Sequence, residues 1–345
     1  MAWGAVAGRS EELAAALGGT ARCFFPPGSR RPPVLARWMF STPLTVAHVL
    51  HRRPDVLVVT NPPCPAALVG WAIGRLVGAT VVLDSHPGAF GAQGDRVAAR
   101  LQPLHRWVTR HADLSIVASQ EWLHAVEAWG AEAVVVHEAP GDWRPAPLPG
   151  RSRLRLLYVG RFAADEPWRA LIDAASSVPE IDVAVTGDAR GAGIAARRLP
   201  PNVTLVGFLD ATRYQEAVYD ADAIVALTTE PGSIMRAACE AVWAQRPLVV
   251  SDWPALRAAF PYALHVHNDP AAIAAGLRQL AATYPARASQ TGAARDRQVE
   301  RWECQRRRLT ASLSLLPGDA AAGALDGQST APAEHSGTEG VAGFS

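Results

Sequence analysis

Short apolar runs and helical stretches take turns along this chain. Val56 to Thr60, Thr80 to Leu83, Leu114 to Ala118, Leu154 to Val159, Ile181 to Thr186, Val203 to Val206, Ala223 to Leu227 and Leu248 to Val250 are strand-length runs, most of them rich in β-branched residues. Between them lie segments with helix formers and apolar positions at helical spacing, such as Glu11 to Leu17 and Ser233 to Ala244. That alternation predicts an α/β protein with doubly wound parallel sheets. The Pro-rich stretch Glu138 to Gly150 divides two sets of these units, which places a domain over 1–140, a linker over 141–153 and a second domain over 154–294. Asp296 to Ser314 reads as a charged helix within 295–316, and the Ala/Gly/Ser-rich tail 317–345 reads as disordered. Met1-Ala2 is too short for the strand expected before the helix Glu11 to Leu17, so the first strand is predicted to be missing or truncated.

Composition narrows the chemistry. All 33 basic residues are Arg, which excludes lysine Schiff-base chemistry and a Walker A lysine. A net charge of +1 carries no general attraction to nucleic acid. Cys23, Cys64, Cys239 and Cys304 are far apart, with no CxxC pair and no leader-like segment, so a reduced, cytoplasmic protein is expected. The apolar segment from Ala66 to Leu83 is broken by Gly70, Arg75 and Gly78, which suits a helix followed by a buried strand better than a membrane span.

The segment Asp222 to Asp252 is the most informative. It reads as strand, loop, helix, strand, with Thr228, Thr229, Gly232 and Ser233 at the junction where the first strand ends and the helix begins. Amides and the helix dipole at such a junction point toward an anion, with phosphate the natural occupant. Glu240 follows roughly 10 Å along the same helix, a distance that suits a carboxylate accepting from a ribose hydroxyl pair.

These residues resemble a family 4 glycosyltransferase of the GT-B fold, in which two Rossmann-like domains face each other across a cleft. The family carries a spaced pair of glutamates, and the second, opening an EA dipeptide, is matched by Glu240-Ala241. The first is not: its position is Gly232, and Glu230 stands too far upstream to take its place. Ser233-Ile234-Met235-Arg236 and the SDWP at Ser251 to Pro254 resemble a subgroup with a TMQR-like segment. The similarity runs over roughly residues 1 to 310 and implies sugar transfer from a nucleotide diphosphate sugar to a hydroxyl acceptor, with retention and without metal or other cofactor. Glycan or lipid-linked acceptors, hence peripheral contact with the inner face of the membrane, belong to the same implication. The Arg-rich stretch from Arg295 to Arg308 is the segment for such contact, although Asp296, Glu300 and Glu303 among these arginines equally suit a solvated helix face.

The resemblance also assigns strand-end loops. Gly160-Arg161-Phe162 places Arg161 on the donor diphosphate, joined by Gly232, Ser233 and Ile234; the family's lysine five positions after that arginine is Glu166 here, and Arg236 is the candidate for the missing charge. Asp188, Phe208 and Leu209 fall on the nucleotide side with Glu240. His86, in the loop Asp84 to Gly88, takes the family's histidine position facing donor sugar and acceptor, with Arg9 and Ser10 beside it. Each has a plainer reading: Glu240 as a solvated carboxylate, Arg161 as a surface ion pair with Asp165 or Glu166, His86 as a turn residue. His265-x-His267 lacks a nearby third metal ligand, Asp220-Ala-Asp222 reads as a helix terminus, and the glycines from Gly187 to Gly193 are too irregular for a dinucleotide fingerprint. Two rival functions stay open, a GT-B relative that binds nucleotide sugar without turnover and a nucleotide-sugar epimerase.

Overall fold

The computed structural model describes residues 1–4, 8–26, 33–91, 96–191, 193 and 199–316. The tail expected from residue 317 onward and parts of the N-terminal loop and of the Gly187 to Gly193 cluster lie outside the described residues. The first lobe runs α1 (Gly8–Ala16), α2 (Val34–Arg52), β1 (Val56–Asn61), α3 (Cys64–Val77), β2 (Thr80–Ser85), a 3₁₀ turn (Pro87–Phe90), α4 (Arg96–Arg100), α5 (Gln102–His111), β3 (Leu114–Val117), α6 (Gln120–Ala128) and β4 (Ala133–Val135). The second runs β5 (Arg155–Tyr158), α7 (Trp168–Ser176), β6 (Asp182–Thr186), β7 (Val203–Gly207), α8 (Ala211–Asp220), β8 (Ala223–Ala226), α9 (Arg236–Trp243), β9 (Leu248–Ser251), α10 (Pro254–Ala259), β10 (Leu264–Val266) and α11 (Pro270–Ser314).

Both sheets are parallel, ordered β1-β2-β3-β4 and β10-β9-β8-β5-β6-β7. Their central strands carry apolar residues on both faces because helices cover both: β2, β3, β8 and β9 are buried throughout. The first strand, expected to be missing or truncated, is present as a stub. The Met1 ammonium donates to the Val58 carbonyl at 2.7 Å, Thr60 N–H donates to the Met1 carbonyl at 2.9 Å, and Ala2 pairs in parallel with Cys23. Pairing of this kind needs only backbone groups, so the first residues extend the sheet beyond β1 although they are too few to show a strand pattern.

Two devices fix the lobes and the linker between them. The first is α11, 45 residues long rather than a separate helix beginning near residue 295. Its start is capped by Asp269, whose carboxylate accepts from Ala272 N–H at 2.8 Å, and it carries Trp302 and Leu309 into a core shared with Leu114 and Ile116 of the first lobe and Ile224 and Val250 of the second. Gln305 on this helix accepts from His137 N–H at 2.9 Å. Of the basic cluster on α11, Arg295 donates to Trp243, Arg301 to Ala258 and Ala259, and Arg306 to Glu303.

The second device is Arg246, buried at 2% exposure, whose guanidinium donates to the carbonyls of Ala146, Pro147, Val218 and Tyr219. Prolines in the linker have no N–H to pair but keep their carbonyls, and this fork of donors collects two linker carbonyls. Asp220 and Asp222 serve the same segment: Asp220 pairs with Arg151 and Arg155, and Asp222 accepts from Arg155 N–H at 2.8 Å.

Candidate active site

In the second sheet β5 has β6 on one side and β8 on the other, so the chain reverses direction of travel between β5 and β8. Ligands of open α/β sheets sit outside the carboxyl ends of strands at such a switch point. The loops leaving β5 and β8 meet there, Thr229 N–H donating to the Asp165 carbonyl at 2.7 Å. Thr228 is fixed from three sides, its N–H donating to Ser251 Oγ and its carbonyl accepting from Trp253 and Asn268.

The loop after β5 places Arg161 in the open, 72% exposed, with Nε 3.6 Å from Glu166 Oε1. Glu166 turns toward the loop rather than away. Its Oε2 accepts from Arg161 N–H at 2.7 Å and Ala163 N–H at 3.2 Å, a carboxylate resting where amides would otherwise meet an external anion. Gly187, at φ 106°, lets the loop after β6 pass so near that an added Cβ would lie 2.5 Å from the Gly160 carbonyl. Asp188 beside it is gripped by Arg190 at 2.7 and 2.8 Å, while Phe208 stands 81% exposed beyond β7.

The loop after β8 differs from the sequence expectation in one respect. Helix α9 starts at Arg236, with Met235 as its extended N-cap, so Gly232, Ser233 and Ile234 belong to the loop and not to the helix. Ser233 N–H donates to the Glu230 carbonyl at 3.2 Å. The Pro-Gly turn before these residues delays helix entry, an effect that apolar spacing alone does not register. Glu240 therefore lies one turn into the helix. It is 6% exposed and both oxygens are engaged: Oε1 accepts from Arg236 Nε at 2.7 Å and Oε2 from the Tyr214 hydroxyl at 2.6 Å.

Arg236 reaches across the cleft. Nη2 donates to Glu12 Oε1 of α1 at 2.5 Å and Nη1 lies 3.6 Å from Glu138 Oε2. Glu138 Oε1 in turn accepts from Arg9 Nη1 at 3.0 Å, and Arg9 forks onto Asp84 at 3.1 Å and onto the Val136 carbonyl at 2.9 Å. Asp84 Oδ2 is 3.4 Å from His86 Nε2, and His86 is 36% exposed. Glu240, Arg236, Glu138, Arg9, Asp84 and His86 thus form one chain of polar contacts from the second lobe to the first. Burial works against the Asp84 anion, but the adjacent Arg9 charge outweighs it and holds the carboxyl well below the usual range. Glu12 is pushed up by burial and by Glu138 and Glu240, against the pull of Arg236. Ser10 sits apart, its hydroxyl 2.8 Å from Thr60 Oγ1.

Arg236, the candidate for the charge missing at Glu166, is placed among three carboxylates, and Arg9 between two. The unmatched Gly232 is used for interlobe contact: its carbonyl accepts from Trp122 Nε1 at 2.9 Å, and an added Cβ would lie 2.7 Å from that nitrogen and 2.9 Å from Glu121 Oε2. Glu12, Trp122, Glu138 and Tyr214 escaped the sequence reading. Each is distant in the chain from its partner, and none carries a spacing signal.

Residues 5–142 match the family described as Glycosyl transferase 4-like domain, and residues 153–283 match Glycosyl transferases group 1. Among solved structures, a sucrose-phosphate synthase from Thermosynechococcus elongatus superposes with a TM-score of 0.68 at 18% identity, covering 87% of this chain and 90% of that one. HepE from Anabaena in complex with UDP and glucose superposes at 0.62 with 17% identity, covering 88% of each. The E. coli trehalose-6-phosphate structure bound with UDP-2-fluoro glucose gives 0.59 at 15% identity, covering 84% of this chain and 80% of that one. Among curated proteins no sequence relative matches.

Proposed function

Because this chain belongs to the group 1 glycosyltransferases of the GT-B fold, we propose that it moves a sugar from a nucleotide diphosphate sugar to a hydroxyl acceptor with retention at the anomeric carbon and without a metal. The observation that carries the reading is Glu240: buried beneath the switch-point loops, oriented by Arg236 and Tyr214, and still with a second lone pair on each oxygen for a ribose hydroxyl. The diphosphate is matched to Arg161 and the amides of Gly232 and Ile234, the Ser233 N–H being already turned to Glu230. The cluster at Glu240 holds four carboxylates, Glu12, Asp84, Glu138 and Glu240, against the two guanidiniums of Arg9 and Arg236, and would repel it. Phe208, Leu209 and Asp188 line the side for the base.

In the transfer the acceptor oxygen bonds to the anomeric carbon as the bond to the diphosphate breaks, and the electron pair leaves with the nucleotide. Arg161 and the loop amides stabilise that growing charge, and a diphosphate oxygen takes the acceptor's proton. His86, held by Asp84, faces the reacting sugar. UDP and GDP sugars offered with and without hydroxyl acceptors test the reading: a glycosylated product is expected, and Arg161→Ala and Glu240→Ala are each expected to reduce its rate by about tenfold or more. Transfer at an unchanged rate in both variants would contradict these roles.

Binding without turnover has its own support in Glu166, whose carboxylate occupies the Arg161 and Ala163 amides. Calorimetry showing UDP binding with no product from any acceptor favours that alternative, and a new sugar nucleotide from donor alone favours an epimerase.

A further inference from the structure

The first lobe has a switch point of its own. Met1–Ala2 lies between β1 and Cys23, so the carboxyl ends of the stub and of β1 diverge at Trp3 and Asn61. A pocket of about 310 Å³ opens there, at the lower end of the range of roughly 300–1,000 Å³ for small-molecule sites. Trp3, Arg37, Trp38, Asn61, Leu101 and His105 line it.

Several of its polar groups lack partners among the described residues. Asn61 is wholly buried, and neither its amide nitrogen nor its oxygen makes a hydrogen bond among the described residues. The same holds for Trp38 Nε1 and Arg37 Nε, and the buried ring of His105 has only the Ala89 carbonyl as a polar neighbour. A buried amide left unpaired is costly, and so many around one cavity point to a ligand that completes them. His105 is kept neutral by burial, which lowers its pKa to about 4 against the raising effect of the Ala89 carbonyl; with its N–H turned to that carbonyl, the other ring nitrogen is an acceptor matched to a hydroxyl group. Arg37 is the only charged residue lining the pocket among the described residues, and no carboxylate lines it. A half-buried guanidinium with no counter-ion among the described residues selects an anion, most favourably one that engages its planar fork.

The pocket adjoins the reacting side. The Asn61 carbonyl accepts from His86 N–H at 2.8 Å, and Ala89 N–H donates to the His86 carbonyl at 2.8 Å. Behind His105, Phe90 lies at 5.0 Å and stacks on Trp122 at 4.5 Å, the residue that bonds Gly232 of the other lobe.

The geometry points to this pocket as the acceptor site, built for a hydroxylated ring that carries one anionic group: the ring lies among the indoles, its hydroxyls meet Asn61 and His105, and its carboxylate or phosphate pairs with Arg37. The word acceptor rests on the transferase reading, whereas the ligand class does not. Wild-type protein is titrated, without donor, with glucuronate, glucose 6-phosphate, methyl glucoside and inorganic phosphate, by calorimetry and by ligand-observed NMR. The anionic sugars are expected to bind on the order of tenfold more tightly than methyl glucoside and inorganic phosphate, with glucuronate against glucose 6-phosphate separating carboxylate from phosphate. Arg37→Gln is expected to erase that preference, and a UDP titration of the same variant reports whether its donor side is intact. Equal binding of methyl glucoside, equal binding of inorganic phosphate, or a preference that survives Arg37→Gln overturns the inference. Anionic sugars that bind as expected but are not glycosylated by any donor leave the pocket standing and remove the transferase reading instead.

Discussion

Arg236 bonds Glu240 within its own helix and Glu12 on the opposite lobe at the same time, Nε at 2.7 Å from the first and Nη2 at 2.5 Å from the second. One guanidinium therefore sets the orientation of the nucleotide-side carboxylate and the approach of the lobes. Arg236→Ala leaves Glu12, Glu138 and Glu240 facing one another, and is expected to cost about 1–3 kcal/mol of stability, discounted for its partial exposure. Glu12→Gln alone costs less, and a double-mutant cycle by urea unfolding should return a favourable coupling. Independent, additive effects would show that the interlobe pair is idle.

Gly232 stands where the family has a glutamate, but the space beyond its Cα is filled by Trp122 and Glu121. Gly232→Glu is therefore expected to lower transfer by about tenfold or more rather than raise it, because the new side chain must displace Trp122 and set a carboxylate against Glu121. Trp122→Phe, which removes the donor to the Gly232 carbonyl, is expected to cost about 1 kcal/mol. Initial rates on folded protein, checked by circular dichroism, decide the matter; a faster Gly232→Glu enzyme would mean that the interlobe contact is not needed in turnover.

Arg246 tests how the linker is held. Lysine has the charge but not the fork, so Arg246→Lys leaves carbonyls among Ala146, Pro147, Val218 and Tyr219 unpaired and is expected to cost about 2–4 kcal/mol. Denaturant midpoints measure it, and a loss below about 0.5 kcal/mol would assign the linker's position to apolar packing instead.

Stability is also expected to fall with acid in a defined window. Burial lowers His105 from 6.5 to about 4; His137 is lowered from 6.5 to about 3 by burial with the charges of Arg301 and Arg9. The unfolded chain takes up these protons below about 6.5 while the folded chain resists until the lower values. Their contribution is thus complete above that pH and is lost as pH falls toward 4 and 3, at a rate of about 1.4 kcal/mol per unit for each group. Urea unfolding at pH 7 and pH 5 should show the loss. His105→Phe should shallow the slope, and an identical slope would place the acid-sensitive groups elsewhere.

The sequence by itself determined the class of fold. Apolar runs such as Thr80 to Leu83 and Leu114 to Ala118 became strands within a residue or two of the expected bounds, because a run buried on both faces permits few other conformations. It also showed where the second-lobe loops fall, since Gly160, Gly187 and Gly232 mark strand ends by backbone chemistry. It missed β4 and the full length of α11, because three residues of strand and a helix running through Pro285 carry weak local signals. It had no means of foreseeing which groups meet. That Tyr214 caps Glu240 and that Asn61 and Arg37 converge on one pocket were decided only when each lobe packed, and that Arg236 turns to Glu12 and Trp122 fills the space beside Gly232 only when the two lobes met. Side-chain pairing across hundreds of residues depends on three-dimensional proximity and desolvation, and neither leaves a period in the chain.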